Sequence, residues 1–362
     1  GDVYTSADHN LTAQLDYVRL LHKLAQNNIQ VFAVLGNHDP LEAWKAKIPF
    51  PPNVHIFPTE SVERVTLVVD GEEVAAIYGQ SYAKSEQREN LAWKFNRAAG
   101  DRFSIGMLHT QVGSRESTYA PCTLEDLKEC GMDYWALGHI HKHEILCEKP
   151  YIVYAGNPQG LDCTETGPRG CYYVEVGPYG TTDLEFIDTS IVRWESIDLA
   201  IDGIESVSEL RESVRFAKEK VRRNIGKPTF LTVNFTGSGS MYHVLNNPEA
   251  TQYWLDSWRE EEQGKYAFVM VERLRNLARP KMNLGERSKL PDSVGDYLNV
   301  FDKLEKLAPE EKVKALRDIL MSRPEFERLG TYGRALTDER LLETFEKAKW
   351  LGVQKLLEHR RG

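Results

Sequence analysis

Apolar positions recur at helical spacing over residues 11–28, where Leu11, Leu15, Val18, Leu21, Leu24 and Ala25 share a face and Asn27-Asn28 closes the run. A short apolar run, Ile29–Leu35, follows and breaks at Gly36. The pattern predicts a helix, a buried strand and a loop at the strand's C-terminal end. The rhythm returns downstream: Phe103–Leu108 predicts a strand ending at His109, Leu124–Cys130 a short helix, and Tyr134–Leu137 a strand ending at Gly138. Val62–Val69 and Glu73–Tyr78 flank Asp70-Gly71, a dipeptide suited to a two-residue hairpin. Further strands are expected over Tyr151–Tyr154, Cys171–Val176 and Leu184–Ile187. Strand–helix alternation mixed with hairpins implies a layered α/β domain whose ligand loops lie at strand ends.

After about Arg193 the pattern changes to a compact βαβαβ unit: strand Glu195–Leu199, helix Ser206–Asn224, strand Thr229–Phe235, helix Pro248–Glu262 and strand Tyr266–Glu272. From about Asp292 onward the chain is helical and highly charged, with apolar three- and four-residue spacings over Val300–Ser322 and Thr337–His359. Pro309 divides the first of these into two short helices. The expected organisation is a domain over residues 1–192, a capping domain over 193–285 and a C-terminal segment over 286–362.

The chain has 362 residues, enough for two or three domains each with its own core. With 41% hydrophobic and 27% charged residues it is neither disordered nor a disulfide-stapled scaffold. No apolar run approaches the roughly 18 residues a membrane span needs. Five Cys, none in a CxxC pair, and a start without a basic-then-apolar segment lead to an expected cytoplasmic location. Buried small hydrophobes are the expected role of the Cys. A net charge of −9 argues against bulk nucleic-acid coating. It does not argue against a nuclease, because metal ions bring positive charge to the point where phosphate sits.

Candidate chemistry collects at the predicted strand ends: Asp2, then Asn37, His38 and Asp39 after Gly36, then His109, then His139 and His141 after Gly138. Imidazole, carboxylate and amide groups without thiolate describe a site for Mn, Fe or Zn and disfavour a structural zinc knot. Each piece alone has a packing interpretation: a hydrogen-bonded core His, an Asn-His-Asp turn, or two same-side residues at a strand end. Packing does not account for all of them at successive strand ends.

In these residues the chain resembles the calcineurin-like metallophosphoesterases, whose ordered signature runs DxH, GD, GNHD, a lone His and GHxH. Gly1-Asp2, Gly36–Asp39, His109 and Gly138–His141 match four of the five blocks. Within that family it is most similar to the SbcD and YhaO type of DNA repair exonuclease. The similarity rests on Asp133–His141, on the turn Gly156-Asn157-Pro158-Gln159-Gly160, and on Glu165-Thr166-Gly167-Pro168-Arg169-Gly170. The resemblance implies a layered β-sandwich flanked by helices, a smaller α/β capping domain and a helical C-terminus. It also implies two divalent metal ions, Mn with Fe, Zn or Mg as the other choices. Asp2 would bridge the ions, Asn37, His109 and His139 would complete one shell, and His141 would join Asp2 on the other. His38 would ligate neither ion and would face the scissile phosphate, with Asp39 fixing the loop or orienting His38. The DxH block is missing, since Asp8-His9 has the wrong spacing. Either a segment upstream of Gly1 carries it, or the chain holds one metal. Thr5 stands where phosphatase relatives often carry a second Asp, which disfavours a phosphoprotein phosphatase.

The activity implied is metal-dependent exonucleolytic hydrolysis at DNA ends, with endonuclease action on single strands as an extension. The alternatives are a small-molecule phosphodiesterase or phosphatase, and a metal-deficient adaptor. The partner implied is an SMC-like coiled-coil ATPase docked on the C-terminal helices, with a homodimer as a further assembly and no membrane. Lys218, Lys220, Arg222, Arg223 and Lys227 form a basic stretch, either a solvated helix face or a grip on the DNA backbone. Arg273, Arg275, Arg279 and Lys281 invite the same two interpretations. Trp254 and Trp258, four apart on a predicted helix, are expected in the core.

Overall fold

Asn10 caps the first helix, α1 (Leu11–Gln26), by accepting a hydrogen bond from Ala13 N. In the computed structural model of the chain, which describes residues 1–43, 48–114, 116–180, 182–327 and 337–358, α1 buries Gln14, Val18 and Leu21. The apolar run that follows forms a shorter strand than its composition predicts. β1 (Val31–Ala33) pairs in parallel with β2 (Val54–Ile56), while Val34 and Leu35 are buried beyond the last pair. β3 (Glu63–Val69) and β4 (Glu72–Gln80) make the predicted hairpin. Asp70 and Gly71 are both left-handed, with φ 53° and 83°, as the tight primed turn requires.

β5 (Ser104–His109), α2 (Leu124–Glu129), β6 (Tyr134–Gly138), β7 (Glu144–Glu148) and β8 (Tyr151–Tyr154) follow. Thr123 and Asp126 start α2 with a reciprocal capping box. The central sheet has the order β3-β4-β5-β6-β8-β7. β4, β5, β6 and β8 run parallel, with β3 and β7 antiparallel at the edges. β9 (Gly170–Val176) and β10 (Thr182–Asp188) form an antiparallel ribbon. From it Tyr172, Val174 and Leu184 pack on Phe103, Tyr134 and Val153 of the central sheet. The opposite face packs Trp135 and Ile152 with Leu91, Phe95 and Leu127. Strand thus covers one face and helix the other, the layered α/β arrangement expected.

β11 (Arg193–Ala200), α3 (Val207–Ile225), β12 (Thr229–Thr236), β13 (Ser238–Gly239), α4 (Tyr242–Leu245), α5 (Pro248–Glu260), β14 (Val269–Asn276) and β15 (Arg279–Pro280) come next. A three-stranded sheet of order β11-β12-β14 confirms the βαβαβ pattern. Its last strand starts later than predicted, since Tyr266 is exposed and the inward alternation begins at Val269 and Val271. Trp254 and Trp258 are buried, as expected of core residues. The chain ends in α6 (Leu284–Arg287), α7 (Ser293–Glu305), α8 (Pro309–Met321), α9 (Pro324–Glu327) and α10 (Asp338–Glu358). Pro309 opens α8 and so divides the helical run where expected, while α7 begins well before Val300 because Asp292 caps it. His359, the expected end of the last helix, lies outside the described residues. Phe301, Leu316, Leu341 and Phe345 form a core common to α7, α8 and α10.

The chain forms two compact units. One comprises Gly1–Ser196, Val221–Thr232 and Glu262–Glu272, the other Ile197–Lys220, Val233–Glu261 and Arg273–Gly362. The chain passes from one to the other more than once. Among the described residues no helix is long and apolar enough to cross a membrane. All five Cys are free thiols. Cys122 is buried as a small hydrophobe, whereas Cys171 is exposed, because it alternates outward on the β9–β10 ribbon.

Candidate metal centre

The parallel strands deliver their C-terminal ends to one edge of the sheet. β5 ends on His109, and its register partner on β6 is Gly138, immediately before His139. The loop after β1 is stitched to the end of β4: Leu35 N donates to Ser81 Oγ at 3.0 Å, and Tyr82 N donates to Leu35 O at 3.0 Å. These bonds bring Gly36-Asn37-His38-Asp39 beside the ends of β5 and β6. Asp39, almost fully buried, accepts from Asp2 N (3.0 Å), Val3 N (2.9 Å) and Gly36 N (2.7 Å). Its carboxylate therefore ties the Asp2 segment to the Asn37 loop, the loop-fixing alternative of the two considered for it.

Four donors converge. His109 Nε2 lies 2.9 Å from Asn37 Oδ1 and 3.2 Å from Asp2 Oδ2, and His139 Nδ1 lies 3.2 Å from the same Asn37 oxygen. Ligand atoms of Asp2, His109 and His139 all fall within 4.8 Å of one another. His109 and His139 meet edge to face with centroids 5.2 Å apart, and Tyr82 and Tyr119 flank them. Asp2 and His139 hold left-handed backbone, φ 60° and 99°, conformations that cost non-glycine residues about 1–3 kcal/mol and concentrate at functional sites. Gly36 leaves the space the set needs: a Cβ there would collide with Asp2 Oδ1 and lie 2.7 Å from His109 Nδ1.

The protonation states suit a cation. Burial opposes ionisation of Asp2, but hydrogen bonds from His109 and from His38 N outweigh it and hold the carboxyl at about 2. Burial lowers His109 below its ordinary value. Burial, reinforced by the neighbouring His109, brings His139 down to about 4. At neutral pH the site therefore presents one carboxylate, one amide oxygen and two neutral imidazoles, a hard-to-borderline set of lone pairs that fits a divalent ion.

His38 stands apart from these donors. Its backbone N donates to Asp2 Oδ1 at 2.8 Å and its carbonyl accepts from Ser6 N at 2.8 Å. Its ring is exposed, in a groove lined by Ser6, His9, Pro40, Glu42 and Lys84. His141 is also exposed and lies outside the group of Asp2, His109 and His139; its Nδ1 is 2.5 Å from Glu165 Oε1. Sequence reasoning cited Glu165 only as part of a branch-specific segment. No local pattern marks it as a partner of His141, from which it is 24 positions distant.

The basic stretch divides, which corrects the expectation for part of it. Lys218 is 2% exposed and donates to Trp258 O at 3.3 Å. Arg222 forms a two-pronged pair with the buried Glu262 carboxylate at 3.0 and 2.8 Å. Lys227 Nζ contacts Asp188 Oδ2 at 3.0 Å. Lys218 and Arg222 thus satisfy a carbonyl or neutralise an acid inside the protein and are not presented to a phosphate backbone, while Lys227 is engaged by Asp188 at a partly exposed position. Lys220 and Arg223 on α3 are exposed.

Comparison with known proteins matches residues 1–143 to the calcineurin-like phosphoesterase family and residues 194–279 to the middle domain of metallophosphoesterase YhaO. The metallophosphoesterase YhaO of Bacillus subtilis (strain 168) is 34% identical over 288 residues, spanning 78% of this chain and 70% of that protein. The DNA double-strand break repair protein Mre11 of Methanocaldococcus jannaschii is 26% identical over 246 residues, or 63% of this chain. The chain spans 62% of that protein's length.

Proposed function

Because the chain belongs to the calcineurin-like metallophosphoesterases, hydrolases of phosphoester bonds, we propose that it cleaves phosphodiester bonds at DNA ends with Mn2+ as its working ion. The convergence of Asp2, Asn37, His109 and His139 carries the reading, and the similarity to an Mre11 repair protein supports DNA as the substrate. Asp2, Asn37, His109 and His139 would hold one ion, and Asp2 with His141 a second. Divalent cations held there neutralise an anionic diester and acidify water at neutral pH. A single carboxylate among neutral donors leaves that positive charge largely uncancelled. His38, exposed and held through its backbone to Asp2, would give a proton to the departing oxygen. On the same reading the C-terminal helices meet a coiled-coil ATPase, through residues left outside their own core such as Met321 and Val300.

Incubating the protein with Mn2+ and linear duplex DNA tests the proposal. Release of nucleotides or short products is expected. Turnover of bis(p-nitrophenyl) phosphate alone would reduce the function to a small-molecule phosphodiesterase, and turnover of neither would favour a metal-deficient adaptor.

A further inference from the structure

His141 is exposed and lies in the loop after β6, yet it is held at both ends. Its carbonyl accepts from Asn157 N at 3.0 Å and from the guanidinium of the buried Arg169. Its ring Nδ1 meets Glu165 Oε1 at 2.5 Å. Glu165 is not a loose surface acid, because its other oxygen accepts from Asn157 Nδ2 and Leu161 N, both at 2.8 Å. Its side chain is 12% exposed while the His141 ring is 51% exposed. The turn that brings this clamp in depends on Gly156, at φ 78°, where a Cβ would lie 2.7 Å from His141 O. A largely covered carboxylate, held by Asn157 and Leu161, thus points at one nitrogen of a ring that is half exposed.

We infer that Glu165 is a positioning residue: by accepting the Nδ1 proton it fixes the His141 tautomer and leaves the Nε2 lone pair open to a divalent cation. The inference rests on the metal-dependent reading above and deepens it. An imidazole on a flexible loop divides its time between tautomers and rotamers, and a carboxylate partner removes both freedoms and raises the basicity of the other nitrogen. Asn157 and Arg169 hold the clamp, so the Gly156–Gly160 turn and the Glu165–Gly170 segment act together on one ligand.

The test is Mn2+ binding to the full chain, by calorimetric titration and by electron paramagnetic resonance of the bound ion, with thermal unfolding as a fold control. Glu165→Ala is expected to weaken one class of Mn2+ site by about 10–100-fold. His141→Ala should weaken the same class, and Glu165→Ala combined with His141→Ala should be no worse than His141→Ala alone. Glu165→Gln, which keeps an acceptor oxygen, should recover part of the affinity. Unchanged Mn2+ affinity in Glu165→Ala or in His141→Ala, or a Glu165→Ala effect that persists once His141 is gone, overturns the inference. Asp2→Ala, run alongside, separates the two readings: if it binds Mn2+ as well as the unsubstituted chain, the donor set itself is misassigned.

Discussion

At the scale of single residues, His38 and Asp2 are neighbours with different duties. Asp2 contributes Oδ2 to the converging donors and Oδ1 to the His38 backbone, while the His38 ring takes no part in the donor set. His38→Ala is therefore expected to lower DNA hydrolysis by at least about 10²-fold while the bound Mn2+, measured by elemental analysis, stays close to the unsubstituted level. Asp2→Ala should lose both metal and turnover. A His38→Ala enzyme working at the full rate would remove the proton-transfer role. The strand-end positions of Asn37, His109 and His139 were legible in the sequence, because each directly follows a recognisable apolar run or a glycine. The loop-fixing work of Asp39 was only half legible, since its three N–H partners are fixed by the turn geometry and by a distant segment.

At the scale of elements, the connection from β10 to β11 depends on Asp188. Its carboxylate accepts from Ser190 Oγ and Arg193 Nη2, each at 2.5 Å, and from Lys227 Nζ at 3.0 Å. Burial would raise the Asp188 pKa, but these partners outweigh it and hold it at about 2. A carboxyl depressed on folding stabilises the fold above its ordinary value near 3.8, and that contribution fades as pH falls toward 2. Asp188→Asn should lower stability by ~1 kcal/mol at pH 7, screening at a partly exposed site keeping the effect small. Denaturation curves should show the difference shrinking between about pH 4 and pH 2. A difference independent of pH would show that the ion pairs contribute nothing. β1 makes the converse point: Val34 and Leu35 look like strand by composition, yet the ladder ends before them, and Ser81 and Tyr82 take both backbone groups of Leu35 to hold the metal loop.

At the scale of the whole molecule, charge is less available than its count suggests. Of the five cations around α3, Lys218, Arg222 and Lys227 serve internal partners and Lys220 and Arg223 remain exposed. Replacing Lys220 and Arg223 together by Glu should weaken duplex DNA binding. It should also flatten the dependence of log affinity on log salt by up to about 2, roughly 0.9 for each phosphate no longer neutralised. Lys218→Ala should lower the unfolding temperature and leave that slope unchanged. Equal slopes in all three proteins, from binding titrations at several salt concentrations, would remove α3 as a DNA-binding element.

The amino-acid sequence alone determined the chemical inventory and the local grammar: oxygen and nitrogen donors at strand ends, the Asp70-Gly71 hairpin, amphipathic α1 and α5, and the break at Pro309. Such features reside in the periodicity and chemistry of neighbouring residues. Only the tertiary structure decided which groups meet. Asn37 and His139 are 102 positions apart and Asn37 and His109 are 72 apart, and sheet register together with the bonds that stitch the Asn37 loop to the end of β4 places them within 3.2 Å. The same holds for the Glu165 clamp on His141 and for the cations consumed inside the protein. A side chain's partner across the fold is set by strand order and loop closure, which no local pattern encodes.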